Sequence, residues 1–519
     1  MIPRKIKRLL QADSRRPTNP GSRGQRVTDS GMHYMRHDHE AKLVDDMATI
    51  LSALRKRGRM VVCVQGLGFV GAANAIAIAS VRDLKGEPLY NVIGVDLPNE
   101  LGRDRTTALN QGSFPFATTD AALINAAQSA KMAGNLVAVT DPGVFAEADI
   151  IVIDVGLDVE AKGDNPKFQL QPFRAAIMAV GDHMRPDALI ILESTVPPGT
   201  CDHIVARLLR ERLAARSLPT ERLKLAYCYE RVMPGDEYLA SIVDMWRVYA
   251  GLTTEAADAA EKFLSSYVDT DRRSLVRLAS VRAAELAKVL ENTFRAVNIA
   301  LIDEWEKFAR AIDVDLFEVL EAIRVRPTHQ NIRYPGLGVG GYCLGKDPMF
   351  GAASAQQIFG STDFQFPLSM AAMKINEEMP CATVALLEKL IGSLVDKKIL
   401  ILGASYREDV GDTRLSPSIT LASMLKRKHA SVALADPLVE KLAEIEVPLH
   451  RDLPDPKAFD AVILAVAHKQ YRSLDLVTWS GTARPALLDA NGILSRESLQ
   501  SLKTAGFKVA AIGRPSIQK

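Results

Sequence analysis

Met60-Val61-Val62-Cys63-Val64-Gln65, then Gly66-Leu67-Gly68-Phe69-Val70-Gly71, then Ala72-Ala73-Asn74-Ala75-Ile76-Ala77-Ile78-Ala79 is the stretch that decides the fold. A short β-branched run, a glycine turn and a helix-forming run follow one another without a break, the context a dinucleotide-phosphate loop requires. Gly66 permits the tight turn, Gly68 lets backbone approach a pyrophosphate, and Gly71 lets helix pack on strand. Phe69 and Val70 open the helix, whose N-terminus offers amide donors and positive partial charge to an anion.

Working outward, Tyr90 to Val95 reads as a second strand ending in Asp96. An acid there accepts hydrogen bonds from the adenosine ribose and repels a 2′-phosphate, which favours NAD over NADP. Arg103 and Arg105 stand close by and weaken that preference. Asp149–Asp154 and Ala188–Glu193 are continuous apolar runs, as expected of strands buried on both faces. Alternation with helical segments predicts a doubly wound α/β domain, whose ligands gather beyond the strand C-termini. Glu193-Ser194-Thr195-Val196-Pro197-Pro198-Gly199-Thr200 falls there, either holding substrate, water or nicotinamide, or forming a plain Pro-Gly turn with a Thr cap.

From Val281 to Ile312 there is neither proline nor glycine, and Leu286, Leu290, Val297, Leu301, Trp305, Phe308 and Ile312 recur at helical spacing. A helix of about 30 residues spans roughly 45 Å, long enough to bridge domains or build a subunit interface. Lys288 and Asn292, four apart, share one face. An ammonium beside an amide stabilises a developing oxyanion. Taken alone, Lys288 reads equally as a solvated lysine paired with Glu285 or Glu291.

Gly340-Gly341-Tyr342-Cys343-Leu344-Gly345-Lys346-Asp347-Pro348 sets a cysteine in a glycine-rich loop with a carboxylate four residues on. A nucleophilic thiol and a hydride acceptor in one chain point to an oxidation through a covalent sulfur adduct, able to take an alcohol to a carboxylate. Without that company Cys343 reads as a buried structural cysteine. After Cys381 the strand pattern restarts at Lys398–Ala404, Ala430–Pro437, Phe459–Val466 and Ala486–Asp489, now without the full glycine fingerprint. This second Rossmann-like domain either binds a nucleotide other than NAD or is purely structural. Asp409 to Pro417 offers Arg414 for phosphate contact.

The 519 residues exceed one core, and 47% hydrophobic with 24% charged residues fits an ordinary globular protein. A net charge of +2 is too small to argue for nucleic acid. No apolar run reaches the roughly 18–20 residues of a membrane span. Five scattered cysteines resemble neither a disulfide framework nor a zinc cluster, and the nine histidines lack metal-ligand spacing. A reducing cytoplasm is the expected setting. Residues 1–58 are basic and lack a secretory apolar region. They read as a flexible arm with a short helical stretch at Met47–Leu54, either without specific function or docking to acidic partners or a membrane surface.

Taken in order, GLGFVG at 66–71, ESTVPPGT at 193–200, the Lys288–Asn292 pair in ELAKVLENTFRAVNIA, PGLGVGGYCLGKDP at 335–348 and GDTRLSP at 411–417 resemble the UDP-glucose/GDP-mannose dehydrogenase family of nucleotide-sugar 6-dehydrogenases. The likeness runs from about Met60 to the C-terminus. It implies an NAD-binding Rossmann domain (59–275), a central helical, dimerising domain carrying the cysteine loop (276–385) and a UDP-sugar-binding Rossmann-like domain (386–519). It implies NAD as cofactor, a UDP-sugar as substrate, a homodimer or higher homo-oligomer, and oxidation of a sugar 6-hydroxyl to a uronic acid for polysaccharide precursors. By that match Cys343 is the nucleophile, passing through a thiohemiacetal and a thioester. Lys288, Asn292 and Asp347 surround the C6 oxygen, and Thr195 and Glu230 sit near substrate and catalytic water. Arg231, Arg333, Gly340 and Arg407 are expected at the substrate, and Arg414 at the cofactor. An unperturbed thiol, pKa about 8.5, is mostly protonated at neutral pH, and Lys288 is expected to raise the thiolate fraction.

Departures bear on the sugar. Tyr342 and Leu344-Gly345 stand where many relatives have His and Ile-Pro. Pro234 stands four residues after Glu230, where UDP-glucose members carry a second glutamate. That pattern is closer to the branch acting on UDP-N-acetylhexosamines such as UDP-N-acetylmannosamine. Arg407 replaces a lysine, and Arg324 and Arg326 rival Arg333 for the family's loop arginine that reaches the other subunit's substrate. Competing readings are a two-electron hydroxyacid-type NAD dehydrogenase and a non-catalytic nucleotide-binding relative.

Overall fold

The computed structural model describes residues 58–160, 166–233, 235–361 and 363–515. The basic arm, the helical stretch expected at Met47–Leu54 and Pro234 lie outside them. Two largely parallel sheets are joined by long helices, as the alternating pattern predicts.

The first sheet contains β1 (Met60–Gln65), β2 (Tyr90–Val95), β3 (Leu136–Val139), β4 (Ile150–Ile153), β5 (Leu189–Leu192), β6 (Lys224–Tyr229), β7 (Val248–Gly251) and β8 (Val276–Arg277). Its spatial order, β3-β2-β1-β4-β5-β6-β7-β8, begins with the arrangement of dinucleotide-binding folds. β1 pairs in parallel with both β2 and β4, so the chain reverses direction across the sheet at β1, and a crevice opens beyond its C-terminal end. Only β7 runs antiparallel to its neighbour β6 within this sheet. Alternate residues of β1 enter different cores: Val61 and Cys63 pack with Ile93, Ile151 and Ile190, whereas Val62 and Val64 pack with Val92, Val152 and Ile191. Burial on both faces explains the unbroken apolar runs.

Helix α1 (Phe69–Ala79) follows the glycine turn and is buried from Gly71 onward. A Cβ on Gly71 would stand 1.9 Å from the Gly66 carbonyl oxygen, so only glycine lets α1 meet β1 this closely. Gly66 itself has φ +89°, the left-handed region that glycine enters without strain.

The second sheet comprises β9 (Lys398–Leu402), β10 (Ser431–Ala435), β11 (Leu449–His450), β12 (Ala461–Leu464), β13 (Ala486–Asp489) and β14 (Val509–Ala511), ordered β11-β10-β9-β12-β13-β14. It repeats the topology of the first sheet and is parallel throughout.

Between the sheets run α2 (Val281–Ala311) and α3 (Pro367–Ile391), packed on each other. Ser280 caps α2 by accepting the Ala283 N–H at 3.2 Å. The domain boundary expected at 385/386 falls inside α3, which continues unbroken to Ile391. The polarity of α2 is inverted relative to a surface helix. Glu285, Lys288, Asn292, Asp303 and Glu306 are buried, while Leu286, Leu290, Phe294, Leu301, Trp305, Phe308 and Ile312 are each about half exposed.

Candidate active site

The buried face of α2 carries the polar groups. Lys288 Nζ donates to the Glu230 carbonyl at 2.7 Å, lies 3.7 Å from the Glu230 carboxylate and sits 5.3 Å from the centre of the Tyr229 ring. Its expected partners, Glu285 and Glu291, are engaged elsewhere. Glu285 accepts backbone N–H groups from 199 and 201, and Glu291 is forked to Arg231, with one oxygen 2.7 Å from Nη2. The helix directs Lys288 inward, whereas Glu291, three residues on, turns toward the rim. One turn past Lys288, Asn292 donates to Asp347 at 2.7 Å.

Asp347 is fully buried at the end of the cysteine loop. Its other oxygen accepts from Lys346 Nζ at 2.8 Å, and its own N–H returns to the Cys343 carbonyl at 2.9 Å. Cys343, Lys346 and Asp347 therefore form one compact turn facing Lys288 and Asn292. Lys346, buried between the rings of Tyr342 and Phe350, lay unassigned within the quoted motif. A lysine adjacent to the carboxylate was the available signal, but nothing local distinguishes it from a solvated one.

Cys343 is half-buried, unlike Cys63, Cys201 and Cys228 in the cores or the exposed Cys381. Burial, then Asp347 and Glu230, push its thiol up to about 11, against the opposing pull of Lys288 and Lys346. Lys288 pulls in the expected direction, but desolvation and two carboxylates outweigh the two ammonium groups.

Thr195 lies half-buried just past β5, and among the described residues its hydroxyl has no partner. Glu230 ends β6 with its carboxylate folded back onto the Val232 N–H. Arg231, expected at the substrate, stands over the Tyr229 ring and also donates to the Trp246 carbonyl at 2.6 Å, so its fork is already taken up by Glu291 and backbone.

At the nucleotide end a Cβ on Gly68 would meet nothing within 4 Å, leaving the approach a pyrophosphate needs. Asp96 closes β2, accepts the Leu67 N–H at 3.1 Å and pairs with Arg105 at 3.2 Å. Asp96 thus braces the glycine loop and holds Arg105 beside it. Among the described residues these groups fit NAD: an open turn, a helix N-terminus and an acid at the end of β2.

The C-terminal domain closes over this loop. Arg414, held bidentately by Asp412, lies 4.6 Å from the centre of the Phe69 ring and 5.9 Å from that of Tyr342. Its carbonyl accepts the Gly341 N–H at 3.2 Å, and Tyr342 donates to Asp158 beyond β4. Arg414 thereby touches both the glycine loop and the cysteine loop. A Cβ on Gly340 would stand 2.8 Å from the Leu415 carbonyl oxygen, so this glycine serves close packing of the cysteine loop on the C-terminal domain. Arg407 is half-buried on the same domain. Arg333 lies apart from the cysteine cluster, exposed beside Arg295 and Arg324, and partial burial with these two like charges lowers its pKa.

Comparison with known proteins gives the same order of parts. The NAD-binding domain of the UDP-glucose/GDP-mannose dehydrogenase family matches residues 60–268, its central domain 282–378 and its UDP-binding domain 400–496. A UDP-N-acetyl-D-mannosamine dehydrogenase of Methanocaldococcus jannaschii is 30% identical over 457 residues, covering 87% of this chain and 96% of that protein. An NDP-N-acetyl-D-galactosaminuronic acid dehydrogenase of Ralstonia nicotianae is 28% identical over 424 residues, 80% of this chain and 92% of its own. The solved UDP-D-ManNAc dehydrogenase of Pyrococcus horikoshii superposes with a TM-score of 0.72 at 28% identity, covering 88% of this chain and 99% of that one.

The chain belongs to the UDP-glucose/GDP-mannose dehydrogenase family. It is an NAD-dependent nucleotide-sugar dehydrogenase, and the match to the family's UDP-binding domain speaks against the hydroxyacid-type alternative. Among the described residues no helix is long and apolar enough to cross a membrane, and no group of His, Cys, Asp or Glu is placed to hold a metal ion.

Proposed function

We propose that this protein oxidises C6 of a UDP-N-acetylhexosamine to the uronic acid in two successive two-electron steps, with Cys343 carrying the half-oxidised sugar. The observation that carries this reading is the convergence of Cys343, Lys288, Asn292 and Asp347 on one buried turn. NAD, held by Gly66–Gly71 and Asp96 with Phe69 and Val70 lining the turn, supplies the acceptor for both pairs of electrons.

Each residue type suits its step. Lys288 and Asn292 offer N–H donors to oxygen at C6 as it develops charge. Cys343 adds to the C6 aldehyde to give a thiohemiacetal, and its oxidation leaves a thioester. Because burial holds Cys343 largely protonated, its proton must leave as sulfur attacks, and Asp347 and Glu230 are the carboxylates near enough in field to receive it. The same carboxylates then orient water for thioester hydrolysis, with Thr195 supplying a hydroxyl from the opposite loop. Arg407, Gly340 and Arg231 border the sugar nucleotide. Arg231 reaches it only by leaving Glu291.

Choice of an N-acetylhexosamine rests on Pro234 in place of a second glutamate and on the similarity to UDP-N-acetyl-D-mannosamine dehydrogenases. The half-exposed apolar stripe of α2 is the surface through which two copies pair, bringing Arg333 toward the partner's substrate.

A stoichiometry assay over a panel of UDP- and GDP-sugars tests the reaction: two NADH per uronate are expected, best with UDP-N-acetylmannosamine. Cys343→Ser is expected to lower uronate formation by at least about a thousandfold while NAD affinity changes by less than about twofold. Undiminished turnover in that variant removes sulfur from the mechanism.

A further inference from the structure

Glu285 is fully buried on α2, three residues before Lys288, and no basic side chain pairs with it among the described residues. Its two oxygens each take one backbone donor from the loop after Thr195. Gly199 N–H reaches Oε2 at 2.6 Å and Cys201 N–H reaches Oε1 at 2.7 Å. From the other side Ser354, on the helix that follows the cysteine loop, donates to the Pro198 carbonyl at 2.6 Å. Helix α2, which carries Lys288 and Asn292, and the helix after the cysteine loop thus grip the Thr195 loop from two sides.

A buried carboxylate without a countercharge is a costly way to hold a loop, since a neutral side chain avoids the desolvation. Burial pushes the Glu285 carboxyl up to about 7, opposed by its hydrogen bonds with 199 and 201. The groups facing it are the Cys201 thiol and Asp202 on the turn it holds and Tyr227 on β6, and Asp202 is itself paired with Arg282 at 2.5 Å. Among the described residues the buried Tyr227 hydroxyl has no hydrogen-bond partner, and burial, then the charge of Glu285, push its pKa up.

We propose that Glu285 is a positioning residue for the oxidation: as a carboxylate it ties the 195–201 loop to α2, so that Thr195 faces the same reacting centre as Lys288 and Asn292. Ionised, it accepts both N–H groups; protonated, one oxygen presents a hydroxyl to a donor and that hydrogen bond is lost. The inference rests on the role given to Thr195 above.

Steady-state rates of wild type, Glu285→Gln, Thr195→Ala and the double variant, measured with NAD and the preferred UDP-sugar, test it. At about pH 8.5 Glu285→Gln is expected to lower kcat about tenfold with the KM for NAD within about twofold, and to abolish an acid limb centred near pH 7. In the Thr195→Ala background the same change is expected to cost less than about twofold. An equal loss in both backgrounds, or an acid limb that survives in Glu285→Gln, overturns the proposal. Full activity of Thr195→Ala instead sinks the role of Thr195, a separate failure. Should Glu285→Gln not fold, hydrogen exchange of wild type decides: protection of the 199 and 201 amides, corrected for intrinsic rate, must fall below about pH 7, and constant protection overturns the proposal.

Discussion

The two Rossmann-like sheets share the order of six strands and one local device, yet differ in what surrounds the aspartate that follows the second strand. In each, an aspartate at the end of the second strand pins the loop after the first. Asp96 takes the Leu67 N–H, while Asp436 takes those of Ala404 and Ser405 at 2.8 and 3.0 Å. The first loop stays open, with free space over Gly68. In the second, fully buried Asp436 is covered by His468 at 3.1 Å, while Gly403, like its counterpart Gly66, lies too close to the neighbouring strand end to carry a side chain. Shared topology sets where a ligand can sit, and a few side chains at the switch point decide what it meets there.

The largest effect that tests this contrast is expected from Gly71→Val. With Cβ overlapping the Gly66 carbonyl, α1 must leave β1, at a cost of more than about 4 kcal/mol, with NAD binding lost by calorimetry. Near-normal NAD binding would break the claim that close packing makes the first loop.

Exchanging the two aspartates sharpens it. Asp96→Asn is expected to raise the Kd for NAD about tenfold with little change in unfolding free energy. Asp436→Asn is expected to leave NAD affinity within about twofold yet destabilise the protein by about 2–3 kcal/mol in urea titrations. Matching phenotypes would erase the distinction between the two domains.

The smallest effect is a pH limb. Hydrogen bonding to His468 and to the backbone N–H groups of Leu438 and Ala404 holds the Asp436 carboxyl below the ordinary carboxylate range, despite burial. A depressed folded pKa gives stability that is present above about pH 4 and disappears as pH falls through the folded value. The stability gap between wild type and Asp436→Asn should therefore narrow below about pH 4, and a constant gap would assign it to packing.

Both sheets were legible because parallel strands buried on two faces must be continuous apolar runs, as in Ile150–Ile153 and Ala461–Leu464. Strands β7 and β8 were not, since Val-Tyr-Ala-Gly is no continuous apolar run and two residues carry little pattern. The glycine loop, the Lys288–Asn292 pair and Cys343 could be singled out because helix spacing and turn chemistry are local. The facing of α2 was harder: helical spacing groups its apolar residues without saying what covers them, and Trp305 and Phe308 face outward while Lys288 faces in.

The α/β alternation, the nucleotide loop and the glycine-rich cysteine loop were thus written in short-range pattern, where neighbours in the chain dictate the outcome. Which carboxylate meets which cation was settled only when segments distant in the chain packed together. Glu285 lies 86 residues from Gly199 and Lys288 lies 58 from Glu230, and such electrostatic partners depend on distance in space, which spacing along the chain does not encode.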